Sequence, residues 1–104
     1  MSGIKYDQEK PDFSLLSSVA LTEVAKVMTY GKRKYDSHNW RKGLNNSRLF
    51  AAAMRHGFSW LGGEDLDPET GLSHLAHMAC CAMMLLENML LRPQLDDRWK
   101  HESK

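Results

Sequence analysis

His56, Glu64, Asp65, Asp67, His74 and His77 lie in one stretch of the chain. Imidazole nitrogens and carboxylate oxygens are the groups that hold a divalent metal. His74 and His77 stand three residues apart on a predicted helix, so they share a face. The acids occupy the turn EDLDPETG, between the helix that carries His56 near its end and the helix whose first turns carry His74 and His77. A connection this short favours antiparallel helices, which gathers all six groups at one end of a hairpin. The expected metal set is Glu64, Asp65, Asp67, His74 and His77, with His56 or Glu64 as the base that takes a proton from an attacking water. The expected cofactor is a divalent metal, Mg²⁺ or Mn²⁺, and imidazole ligands tilt the choice away from Mg²⁺, which prefers oxygen. Each group also has an ordinary reading. His56 and His77 suit core histidines with satisfied nitrogens, His74 a surface residue beside a cap, and Glu64 and Asp65 solvated turn acids. No H-E-x-x-H or H…HD…D signature is present.

A second constellation is basic. Lys32, Arg33, Lys34, Arg41, Lys42 and Arg48 have only Asp36 among them to oppose their charge. Residues 1–50 carry nine Lys/Arg against five Asp/Glu, whereas residues 51–104 carry five against eight, so a net charge of +1 hides a +4 half and a −3 half. Opposed patches of this kind suit an anionic ligand bridged by a cation. Lys32, Lys34, Tyr35, Asn39 and Trp40 offer cations for phosphates, rings for stacking and an amide for a base edge. Arg48 and Arg55, two helical turns apart, would extend a phosphate track, and Lys5 and Asp7 would close over a ligand from the N-terminal segment. The alternatives are a solvated loop with Trp40 tucked inward and a loose N-terminal tail. So small a net charge argues against nucleic acid as the partner.

Three helices must position these groups. The first is expected over residues 18–30, capped by Ser17 or Ser18, with Leu21, Val24, Ala25 and Met28 in the helical rhythm and Gly31 at its end. The following GKRKYDSHNWRKGLNN reads as a loop. A second helix fits residues 47–61, capped by Ser47 and ended by Gly62 and Gly63. A third runs from its cap at Ser73 to about Leu91, and Pro93 stops it. Residues 94–104 are polar, with Leu95 and Trp99 able to dock a last turn. Nothing alternates with period two. The expected fold is all-α, one domain in 104 residues, a bundle of three main helices.

The third helix is apolar on more than one face, with Met78, Met83, Met84 and Met89 spread around it, which predicts a homo-oligomer. Its longest unbroken apolar run, Met78 to Leu86, is nine residues, short of the ~20 that span a bilayer. The N-terminus has no apolar signal segment, so a cytoplasmic protein without membrane attachment is expected. Cys80 and Cys81 point about 100° apart on a helix and read as buried thiols, not as a disulfide.

Three strings carry a family resemblance: KYDxxKPxxxLL, then EVAKVxTYGxxKYxxxNWRKG, then RHxxxWxxGEDxDPETGLxHLAHxACC. They cover roughly residues 4–90 and resemble the phage and prophage N-terminal domain of dATP/dGTP diphosphohydrolase, related to the MazG-like nucleotide pyrophosphohydrolases. The resemblance implies a helical dimer or tetramer. It also implies metal-dependent cleavage of a purine deoxynucleoside triphosphate to monophosphate and pyrophosphate. One departure stands out: MazG-like enzymes gather metal with E-x-x-E and E-x-x-D helices, and the second and third helices here have neither pair. Either the metal site is rebuilt from the turn acids and histidines, or the scaffold binds a nucleotide without hydrolysing it. In the second case it would sequester, for instance, a signalling nucleotide of bacterial defence.

Overall fold

The computed structural model describes residues 3–101 and is all-α. Three helices, α1 (Ser18–Lys34), α2 (Asn46–Leu61) and α3 (His74–Leu91), are accompanied by short 3₁₀ turns at Phe13–Leu15, Asn39–Lys42 and Pro93–Leu95. The α3 helix is central. Val24 and Val27 of α1 pack on Ala76 and Cys80 of α3, with Met28, Leu72, Ala79 and Met84 around them. On its other side α3 packs along α2. Gly57 permits a close approach there, since a Cβ at that position would lie 3.2 Å from the Met78 sulfur. By length and composition α3 could cross a bilayer. Here it lies between the two other helices, with His74, His77, Glu87 and Asn88 all in polar contacts, as the middle helix of a bundle does.

The helix ends depart from expectation in instructive ways. Ser17 caps α1 through the Ala20 N–H as expected. The helix then runs through Gly31 to Lys34, because a helix tolerates one glycine at a cost of about 1 kcal/mol and the extension brings Lys34 to Glu69. The α2 helix begins one residue earlier than expected, with Asn45 at the cap position. Ser47 does not cap it. Its N–H donates to Asp97 Oδ1 at 2.8 Å and its hydroxyl to Asp97 Oδ2. The tail thus folds back and supplies an anion to the positive end of α2. Leu95 is buried against the bundle, whereas Trp99 is exposed. Ser73 caps α3 through Leu75 N–H, as the sequence indicated.

The loop after α1 is fastened to the C-terminal end of α3. Arg41 makes two bonds to Glu87, Nε at 2.8 Å and Nη2 at 2.9 Å, and Arg92 makes a third at 2.8 Å. Both guanidiniums stand over the Trp40 ring, at 4.4 and 5.5 Å from its centroid. Arg41 and Arg92 hold the Glu87 carboxyl down from 4.5 to about 2. A carboxylate whose pKa is lower folded than unfolded adds stability above its unfolded pKa, and that stability is lost as pH falls toward the folded value. Glu87→Gln is therefore expected to melt below wild type at pH 7, with the gap closing between about pH 4.5 and 2. Thermal melts across that range check it, and a gap independent of pH would remove the charge from the explanation.

Candidate metal centre

The turn between α2 and α3 is built around Asp67. Its Oδ1 accepts from the N–H groups of Glu69 at 2.8 Å and Thr70 at 3.0 Å. Its backbone pairs with Leu72 and Gly71, the latter at φ +71°, where a side chain would be strained. A bridge between Leu66 and Ser73 closes the turn. One carboxylate oxygen is thereby spent on the loop, and Oδ2 is left facing His56, 3.7 Å from Nδ1.

His56 comes from the last turns of α2 and His74 from the first residue of α3, and their Nδ1 atoms face each other at 2.9 Å. Single ligand atoms of His56, His74 and Asp67 all lie within 4.8 Å of one another. His74 is buried, 3% exposed, and its other nitrogen, Nε2, lies 2.6 Å from Glu64 Oε1. His77 stacks flat on His56, with rings 4.3 Å apart and 10° from parallel, and its Nε2 meets the Thr70 hydroxyl at 2.7 Å. Burial, followed by the charge of neighbouring His77, lowers the pKa of His56. Burial likewise lowers that of His77. Burial raises the Asp67 pKa, but the Thr70 and Glu69 N–H groups, with the charges of His77 and His56, together leave the net shift downward. His56 and His77 are thus biased neutral and Asp67 ionised, the forms in which imidazole and carboxylate ligate a metal.

Five of the six groups singled out in sequence therefore meet at one end of the hairpin, in differing roles. His56, His74 and Asp67 converge on one point. Glu64 backs His74 from outside, and His77 is turned to Thr70. The Asp65 side chain is exposed, and only its carbonyl joins the site, accepting the His74 N–H at 2.9 Å. Thr70 had no signal in the sequence beyond its place in the turn.

The basic residues divide. Lys34 reaches the acidic turn directly, 2.7 Å from Glu69 Oε1, with Tyr30 donating to the same oxygen at 3.3 Å. The Lys34 ammonium lies 5.3 Å from the centre of the Tyr35 ring. Arg55, exposed on α2, contributes to lowering the His56 pKa. Lys32 and Arg48 are exposed without a polar contact to the cluster. Lys5 and Asp7 lie in an exposed N-terminal segment. Asn39 and Trp40 sit at the opposite end of α3, beside Glu87, roughly 20 Å along the helix from His74 at 1.5 Å per residue. Within one chain the Trp40 ring and the histidines do not form one site. The expectation took a whole basic segment as one loop, but its first residues are helical and its later ones pack on α3. Cys80 is buried, its thiol pushed up to about 12, and it forms no disulfide with Cys81.

The family described as dATP/dGTP diphosphohydrolase, N-terminal, matches residues 1–98. The chain belongs to this family. It is 42% identical over 98 residues to the dATP/dGTP diphosphohydrolase of Salmonella phage PMBT28. That alignment takes in 94% of the present chain and 33% of the relative, so the chain spans about a third of that protein's length. No solved structure matches the chain. The family match contains His56, Asp67 and His74.

Proposed function

We propose that this chain is a metal-dependent nucleotide hydrolase of phage type, cleaving a purine deoxynucleoside triphosphate to monophosphate and pyrophosphate in the host cytoplasm. The observation that carries the reading is the convergence of His56, His74 and Asp67 beside Lys34 and Arg55, in a family whose phage relative is named for dATP and dGTP. A divalent cation held by these three residues would polarise phosphate oxygens and neutralise their charge. Lys34 would leave Glu69 for a phosphate oxygen, and Arg55 would meet the chain of phosphates from α2. Glu64 spends one oxygen on His74, and its half-exposed carboxylate keeps the other to take a proton. The helical bundle would then be a MazG-like scaffold with its acid pairs replaced. Incubation with each deoxynucleoside triphosphate and Mn²⁺ or Mg²⁺, reading monophosphate and pyrophosphate, tests it. Turnover of dATP or dGTP, abolished by Asp67→Asn, is expected.

A second reading is nucleotide binding without hydrolysis, as in sequestration of a signalling nucleotide. It is favoured by the absence of E-x-x-E and E-x-x-D pairs from α2 and α3. Tight binding with no turnover under either metal selects it.

Either reading includes a homo-oligomer, dimer or tetramer. The radius of gyration is 17.2 Å, against ~13 Å for a compact domain of about 100 residues. Phe58, Leu61, Leu86 and Leu90 are each at least 60% exposed. A second copy covering α2 and α3 would bury them. Sedimentation at micromolar concentration is expected to give a dimer or larger; a folded 11.9 kDa monomer would refute this.

A further inference from the structure

The geometry points to a metal centre that reads both histidines through Nδ1, is oriented from outside by Glu64, and selects a transition-metal ion over Mg²⁺. This inference rests on the metal-dependent reading above and specifies its ion and the residue that prepares the site.

A neutral imidazole carries one N–H and one lone pair. Glu64 Oε1 lies 2.6 Å from His74 Nε2 and is an acceptor, so the His74 proton sits on Nε2 and its Nδ1 presents a lone pair. The His56 Nδ1, 2.9 Å away, then donates to that lone pair in the metal-free protein. An ion here would be held by the Nδ1 atoms of both histidines, which would require the His56 tautomer with its proton on Nε2, an exchange through water with no net proton release. Asp67 Oδ1 is fixed by two backbone N–H groups, so Oδ2 is the third donor. His77, held by Thr70, stacks on a face of the His56 ring and so restrains its plane.

Two imidazoles and one carboxylate within reach of a single ion suit Mn²⁺, Fe²⁺, Co²⁺ or Zn²⁺. They do not suit Mg²⁺, which keeps near-octahedral oxygen coordination and sheds water reluctantly. Glu64 is a positioning residue here. An outer carboxylate on a ligating imidazole fixes its tautomer and raises its basicity, and loss of such a partner typically costs about 10–100-fold in metal affinity.

The test is titration of the full chain with Co²⁺, without nucleotide, followed by visible absorption and calorimetry, with Mg²⁺ as competitor. Wild type is expected to bind one Co²⁺ per chain with a d–d spectrum of nitrogen and oxygen ligation, undisturbed by a hundredfold excess of Mg²⁺. Glu64→Ala should weaken binding at least tenfold, and Glu64→Gln, which keeps an acceptor for His74 Nε2–H, should recover most of the loss. His56→Asn should abolish the spectrum with helicity by circular dichroism unchanged; it serves in place of His74→Ala, whose buried site risks the fold. Displacement of Co²⁺ by equimolar Mg²⁺, a wild-type titration in Glu64→Ala, or an unchanged spectrum in His56→Asn each overturns the inference. Hydrolysis is a separate readout. Co²⁺ binding as described with no turnover leaves this site standing and removes the hydrolase, whereas turnover supported by Mg²⁺ alone does the reverse.

Discussion

Asp67→Asn is expected to lower divalent-ion affinity more than tenfold while leaving the fold in place. The two oxygens of Asp67 do different work. Oδ1 accepts the Glu69 and Thr70 N–H groups that shape the turn, and an asparagine oxygen accepts them equally. Oδ2 is the oxygen aimed at the histidines, and asparagine replaces it with an NH₂ that points donors at a cation. Loss of one decade corresponds to 1.4 kcal/mol, a modest figure for exchanging the only anion among three ligands for a repelling dipole. Asp65→Ala serves as the matched control. Its side chain is exposed and only its carbonyl, which alanine keeps, touches His74, so affinity should stay within about twofold. Isothermal titration with Mn²⁺ or Co²⁺ on both variants reads the difference. Equal losses would mean that the acids act as a diffuse negative patch, and no loss in Asp67→Asn would return the turn to a structural role.

That contrast also shows how far the chain could be read before its structure. Histidines and acids at one end of an antiparallel hairpin follow from helix periodicity and a short, proline- and glycine-marked turn, and both survive in the fold. Which carboxylate is a ligand does not follow, because it depends on where the turn spends its hydrogen bonds. Asp65 and Asp67 are equivalent as letters. Only the closure of the turn, with Asp67 Oδ1 on two N–H groups and the Asp65 carbonyl on His74, separates them. Glu64 and His77 are similar cases, present at the site yet diverted by His74 and Thr70. The basic segment was less legible. Its charges suggested one ligand surface, but the Arg41 fork fits Glu87, forty-six residues away, and a carboxylate at that range has no local signature. The run of Lys32 to Lys34 hid a helix end, since lysine and arginine are good helix formers and favour the last turn.

Asn88→Leu is expected to be among the most destabilising single changes in the protein, though a leucine in that apolar helix looks like an improvement from sequence. Asn88 is fully buried. Its amide nitrogen donates to Asn46 Oδ1 at 3.0 Å and toward the Leu44 carbonyl at 3.5 Å, and its oxygen accepts from Arg92 at 2.9 Å. Asn46 is itself 3% exposed, so a leucine would strand the Asn46 oxygen away from water while also releasing Arg92. A buried polar atom left without its partner costs about 1–3 kcal/mol, and the bond to a charged group adds to this. A loss of about 2–3 kcal/mol lowers the melting temperature by roughly 10–20 °C in a domain of this size. A thermal melt showing a fall of less than about 3 °C would mean that the pair is dispensable. The consequence for the site is the sharper part. Asn88 joins the start of α2 to the end of α3, about 20 Å along α3 from His74, so the surviving folded fraction should bind metal with wild-type affinity. A stability defect and an affinity defect would thus come from opposite ends of one helix. Co²⁺ titration of Asn88→Leu well below its melting temperature distinguishes a rigid helix with two independent ends from one whose far end sets the geometry of the histidines.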